Sequence, residues 1–234
     1  MKVITNTDII AHRVTWTKRI STVGLICLVT GFVINVMSFN DPSLSQLALG
    51  LLVAGILAAL ATANLTNFWL REPRADQFLS KVLKRFGNNY MLFNYTVSTS
   101  NIVMTPTRLY LVVVKNLDGE VTIEGNKFKK PFTWRRFLQL FSSDGLGNPV
   151  QEAEKSMQEL RKLLEEKLTE QSIPEIEALV VFSSKYLKLK VNNPTLPVLH
   201  NKEIYAYLKK HDKETRISKD ERMELASIIG GQYN

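Results

Sequence analysis

Two long runs without a charged side chain, separated by seven residues, limit what this chain can fold into more than any other feature. Ile20 to Phe39 (ISTVGLICLVTGFVINVMSF) and Leu47 to Leu70 each reach the roughly 20 residues needed to cross the hydrocarbon core of a bilayer, and the link between them, Asn40 to Gln46, holds one acid. They read as a transmembrane helical hairpin. A secretory signal peptide is the competing reading, but the first run is too long for one, no small-residue cleavage site follows it, and a second span comes at once. Basic residues flank the outer ends (Arg13, Lys18 and Arg19 before; Arg71, Arg74 and Lys81 after), while the short loop has none. By the positive-inside rule this predicts a two-pass protein of the inner, cytoplasmic membrane, with both termini and the soluble part in the cytoplasm. Gly24, Gly31, Gly50, Ala54, Gly55 and Ala58 are small enough to let the two helices approach closely, and a dedicated oligomerisation face is the other use of such residues.

Past Leu70 the composition becomes that of a globular domain, with 26 basic against 20 acidic side chains in a chain of net charge +8. Such an excess favours phosphate-bearing partners, whether DNA, RNA or an anionic bilayer surface. Cys27 lies inside the first apolar run and His12, His200 and His211 are scattered, so neither a disulfide framework nor a Cys/His metal cluster is expected. The chain divides into a segment 1–19, the hairpin 20–70, an α/β domain 71–210 and a helical extension 211–234.

Within the domain, Asp76 to Phe86 carries an amphipathic helix stripe that stops at Gly87. Tyr90–Val97, Ile102–Met104, Leu109–Val114 and Val121–Ile123 read as strands, from β-branched and aromatic enrichment between turn residues. Asn148 caps a helix with Pro149 at its first position and Gln151 completing a capping box, and Val150, Ala153, Met157, Leu160, Leu164 and Leu168 form its buried stripe. Ile176–Phe182 suits a central strand, and Leu187–Val191 a further one. Asn201 caps a short helix through Lys210, and Ser218 with Glu221 opens a last helix. This succession predicts α/β architecture with a helix crossing between strands.

Two segments carry candidate chemistry. Lys127, Lys129, Lys130, Arg135 and Arg136 interleave with Phe128, Phe132, Trp134 and Phe137. That alternation serves a nucleic-acid groove through stacking and phosphate contacts, or a membrane interface through headgroup anchoring, or an ordinary solvated edge. The other segment is the hairpin NIVMTPTRLYLVVVKNLDGEV, Asn101 to Val121, whose second strand ends in Lys115.

Taken together, the helix DQFLSKVLKRF, that hairpin, Trp134, the NPVQ helix start and the late strand EALVVF resemble, in order and spacing, the NERD (nuclease-related) domain over residues 72–210. The resemblance implies a PD-(D/E)xK, restriction-endonuclease-like mixed sheet. It implies further that an aspartate opening the first hairpin strand and a glutamate two residues before the lysine hold a divalent metal, with the lysine positioning the attacking water. Alignment on Pro106 and Lys115 puts Ser100 and Val113 at those two acid positions. Lys115, Asn116 and Gly119 match, Gln151 matches the family's helix glutamine, and Asp76 corresponds to the acid of its first helix. Magnesium requires hard oxygen ligands, usually including carboxylates, and valine offers none.

The expectation is a membrane-anchored nuclease-like domain that binds nucleic acid or a protein and does not cut, with no cofactor and Lys115 and Gln151 as remnants of the site. The alternative is a nuclease using Mg²⁺ or Mn²⁺ on migrated ligands, Asp76, Asp118 and Glu120.

Overall fold

The computed structural model describes residues 1–98, 100–129, 147–168, 173–210 and 216–231. Two units emerge, one built from residues 7–72 and the other from residues 1–6 and the segments after Glu72.

The first unit is a helical hairpin. Helix α1 spans Thr7–Met37, a turn at Pro42–Leu44 follows, and α2 spans Ser45–Leu65 before a π-helical turn at Thr66–Leu70. Helix α1 starts 13 residues before the uncharged run, because residues 7–19 hold no Gly or Pro and extending an existing helix needs no new nucleus. Both helices are long and apolar enough to cross a membrane, and their apolar side chains are mostly not buried inside the protein: Leu25, Phe32, Leu49 and Leu57 are all more than 60% exposed. A soluble core helix would show the opposite.

Glycines set how closely α1 and α2 pack. A Cβ on Gly24 would stand 2.8 Å from the Ala58 Cβ, and one on Gly55 2.6 Å from the Leu28 Cγ, whereas Gly50 meets nothing within 4 Å. The glycine contacts are thus made within one hairpin. A Cβ at Gly31 would lie 3.1 Å from that of Leu51, a few tenths of an ångström inside the roughly 3.5–4.5 Å of a disulfide, so a slight outward shift of the helices admits the bond. Cysteines at those two positions, with Cys27 replaced by alanine, are expected to form a disulfide on mild oxidation; adding Gly55→Leu should abolish most of that product on a non-reducing gel.

The second unit holds two sheets. The larger has the order β1-β2-β3-β4-β7-β9, with β1 Lys2–Thr5, β2 Met91–Asn94, β3 Asn101–Met104, β4 Leu109–Lys115, β7 Ile176–Phe182 and β9 Val198–His200. β2, β3 and β4 form an antiparallel meander, and β1, β7 and β9 join it in parallel. The smaller sheet, β6-β5-β8, comprises Lys127–Lys129, Gly119–Glu124 and Leu187–Asn192. The fold is mixed α/β, as the element order predicts. The strands expected at Val121–Ile123 and Leu187–Val191, which are β5 and β8, do not extend the main sheet, however. They pair in parallel with each other, and their inward residues Val121, Ile123 and Leu187 pack against Val180 and Phe182.

Burial on both faces of the main sheet explains why its central strands are almost uninterruptedly apolar. One face packs on helix α3 (Ala75–Leu83), through Phe78, Leu79 and Leu83, and on α5 (Ile204–Lys210), through Ile204 and Leu208. The other packs on α4 (Pro149–Glu165), through Leu160 and Leu164, and on α6 (Lys219–Gly230), through Leu225, Ala226 and Ile229. The last helix thus belongs to the domain core. Asn148 caps α4 by accepting from the Gln151 N–H at 3.3 Å, and Ser218 with Glu221 forms the capping box of α6. Asn201 does not cap α5; its side chain donates to the Ser183 carbonyl, and the helix opens at Ile204.

The segment ahead of the hairpin, polar on average and without clear periodicity, supplies β1. Ile4 lies opposite Phe93 in register and enters the core beside α4 and α6. Asn6 alone stands between this strand and α1.

Candidate functional site

Lys115 is the last residue of β4, paired with Phe182 of β7, and its carbonyl accepts from the Ser183 N–H at 3.0 Å. Its side chain is only 8% exposed, and a buried ammonium needs a counter-charge. Glu152, in the first turn of α4, supplies it: Nζ donates to Oε1 at 2.6 Å and to Oε2 at 2.8 Å. A carboxylate at a helix start is also favoured by the helix dipole. Gly147 makes room for the pair. Its φ is +54°, a conformation that favours glycine, and a Cβ there would sit 2.9 Å from Glu152 Oε1.

The sheet register brings Val113 and Ser100, where the resemblance implies acids, to the same part of the sheet as this lysine. Val113 and Lys115 are two apart on one strand and so share a face. Asn101 lies opposite Val112, so Ser100, one step further, falls alongside Val113. Neither offers a ligand. Val113 packs among Leu111, Ala153 and Ala178 on one side and the cluster of Val180 and Phe182 on the other. The Ser100 hydroxyl donates to the Val97 carbonyl at 2.6 Å. Asn101 is on the opposite face, paired across strands with Asn94.

The three other acids are held in three different places. Asp76, buried at the start of α3, takes Arg74 Nε at 3.1 Å and Nη2 at 3.2 Å. It also lies close to Tyr95, whose phenol is pushed up chiefly by burial and then by the Asp76 charge, with Arg74 opposing. Asp118, in the turn after β4, accepts from the Ser184 hydroxyl. Glu120 is on the smaller sheet, ion-paired with Lys190 at 2.5 Å, and a hydrogen bond from that lysine holds its carboxyl below the usual range. Among the described residues no group of three or more His, Cys, Asp and Glu is placed to hold a metal ion.

Gln151 is exposed, and its backbone N–H meets the Asn148 cap; the neighbouring Glu152 is the residue that reaches Lys115. Sequence reasoning missed Glu152, although one signal was available, since it is the only acid in the first turn of the helix that crosses behind β4. Lys127 and Lys129 lie on β6, while Lys130, Trp134, Arg135 and Arg136 fall outside the described residues.

No curated protein and no solved structure matches this chain. Residues 69–183 match the family model described as the nuclease-related domain, NERD. That stretch runs from just before α3 to the end of β7 and contains Lys115, Val113, Ser100 and Glu152. Behind two apolar helices, therefore, residues 69–183 carry a nuclease-related domain of the NERD type.

Proposed function

We propose that this protein is a membrane-anchored member of the family that no longer cleaves phosphodiesters and acts by binding, as a nucleic-acid or protein interaction module. The observation that carries this reading is the two-point contact of Lys115 with Glu152 next to an apolar Val113. A lysine that orients an attacking water must face substrate and metal; here its charge is neutralised by a residue of the same domain. The donor set does not fit a divalent cation either. Mg²⁺ takes near-octahedral oxygen coordination that includes carboxylates, and the positions beside Lys115 hold a valine and a serine whose hydroxyl is engaged by Val97. The migrated-ligand alternative needs Asp76, Asp118 and Glu120 to converge. Each is instead held by its own partner, Arg74, Ser184 and Lys190 respectively.

The membrane assignment rests on the two exposed apolar helices, and β1 supports the arrangement of their ends. Since β1 pairs with β2 inside the domain that follows the hairpin, the chain leaves one folded unit and returns to it. Both ends of the hairpin then lie on one side of the bilayer. The flanking basic residues make that side the cytoplasm.

The full chain, purified and incubated with single- and double-stranded DNA and RNA plus Mg²⁺ or Mn²⁺, is expected to leave every substrate intact on a denaturing gel. Cleavage that disappears in Lys115→Ala would overturn the reading.

A further inference from the structure

The outward face of the smaller sheet carries a charge pattern that the Lys115 site does not explain. Val121, Ile123 and Leu187 turn inward. The alternate residues share the other face, with Lys188 and Lys190 on β8, Lys127 and Lys129 on β6, and Glu120 and Glu124 on the strand between. Lys190 and Lys129 stand opposite Thr122 from its two sides. At about 4.8 Å per strand and about 3.3 Å per residue, this gives two lysine rows about 10 Å apart, with successive lysines about 7 Å apart along a row.

Glu120 and Glu124 pair with Lys190 at 2.5 Å and Lys129 at 2.7 Å. These are exposed pairs of small net value, so another anion can replace the carboxylate at little cost. Among the described residues Lys127 and Lys188 are in no ion pair. Just before β8, Tyr186 is 70% exposed, with Lys185 Nζ 5.1 Å from its ring centroid.

We infer that this face is a docking surface for single-stranded nucleic acid, whose sugar-phosphate backbone follows the lysine rows while a base stacks on Tyr186. Charge complementarity selects a polyanion, and an exposed aromatic ring beside a cationic track is the combination that holds single strands without sequence preference. A duplex would leave Tyr186 without a stacking partner. A bilayer surface fits less well, because binding there scales with apolar side chains buried in the headgroup boundary, and between these charges the face presents Thr122 and Asn192. The inference rests on the binding-module reading but uses a different surface from the Lys115 site.

Fluorescence anisotropy of labelled 20-nucleotide oligothymidylate and oligouridylate tests it, using the full chain in nanodiscs of zwitterionic lipid at several salt concentrations. The double variant Lys127→Gln, Lys188→Gln removes no member of either ion pair; it is expected to weaken binding at least tenfold and to lower the salt slope by about 1.4. Tyr186→Ala should weaken binding about fivefold or more with the slope unchanged, and Lys155→Glu, on the exposed side of α4, should change it less than twofold. Binding that ignores both sets of variants overturns this surface and leaves the module reading standing. Absence of binding by the wild type overturns the inference, as does variant-sensitive binding to phosphatidylserine vesicles but not to oligonucleotides. Cleavage of the probe is a separate result, and it counts against the non-cleaving reading instead.

Discussion

Replacing Ile4 by aspartate is expected to destabilise the soluble domain by about 4 kcal/mol, although residue 4 lies some seventy residues ahead of the rest of that domain. Ile4 is 4% exposed and packs in one cluster with Phe93, Leu160, Leu164 and Ile229. Removing an isoleucine from such a site costs about 2–5 kcal/mol. The buried carboxylate would have no partner, which adds a desolvation penalty. The strand is expected to peel away rather than bury that charge, giving up the bonds from Lys2 N to Tyr90 O and from Asn6 N to Asn94 O and turning β2 into an open edge. Hydrogen exchange in the full chain checks this directly: amides of Lys2–Thr5 and Met91–Asn94 should lose protection first. Ile4→Val, which removes one methylene, should cost about 1 kcal/mol by pulse proteolysis and leave the exchange pattern unchanged. Unaltered protection in Ile4→Asp would mean that β1 is not part of the domain's core.

The second large effect concerns the Lys115–Glu152 pair, and its signature is an asymmetry. Glu152→Ala leaves an ammonium that is only 8% exposed without its counter-charge. Orphaning a buried charge costs about 3–5 kcal/mol, but Glu152 itself is 44% exposed and water moderates the pair, so about 2 kcal/mol is expected. Lys115→Met should cost less than about 1 kcal/mol, because a side chain of similar length fills the site and Glu152 returns to water. Adding Lys115→Met to Glu152→Ala should therefore restore most of the lost stability. Urea unfolding of the four proteins forms the double-mutant cycle. A lysine kept for catalysis predicts no such rescue, since its value would lie in rate rather than stability.

Several elements are legible in the sequence because their signals are local. The Asn148 cap, the Ser218–Glu221 capping box and the stripe through Val150, Ala153, Leu160 and Leu164 each depend on residues within a turn or two of helix, and the structure shows them. The strands Leu109–Lys115 and Ile176–Phe182 are clear because a strand buried on both faces must be apolar throughout. Strand partners are not clear. Leu187–Asn192 alternates as any half-buried strand does, and nothing in that alternation says whether it pairs with the main sheet or with Gly119–Glu124. Lys2–Thr5 is too short and too polar to announce itself, and its partner lies some ninety positions away.

By itself, then, the sequence determined that two uncharged runs form a hairpin of helices and that an α/β domain follows, and its resemblance to the nuclease-related family implies acids where this chain has valine and serine. The first two conclusions need only side-chain chemistry and periods of two or 3.6 residues, and the third needs the family resemblance. Tertiary structure alone decided that Glu152, not Gln151, meets Lys115, because the two differ by about 100° around a helix whose docking angle is set by packing against β4 and β7. It also decided that a strand from ahead of the hairpin forms one edge of the main sheet, and that four lysines from two distant segments face outward together. Such pairings are set by which surfaces exclude water jointly, a property no single stretch of chain possesses.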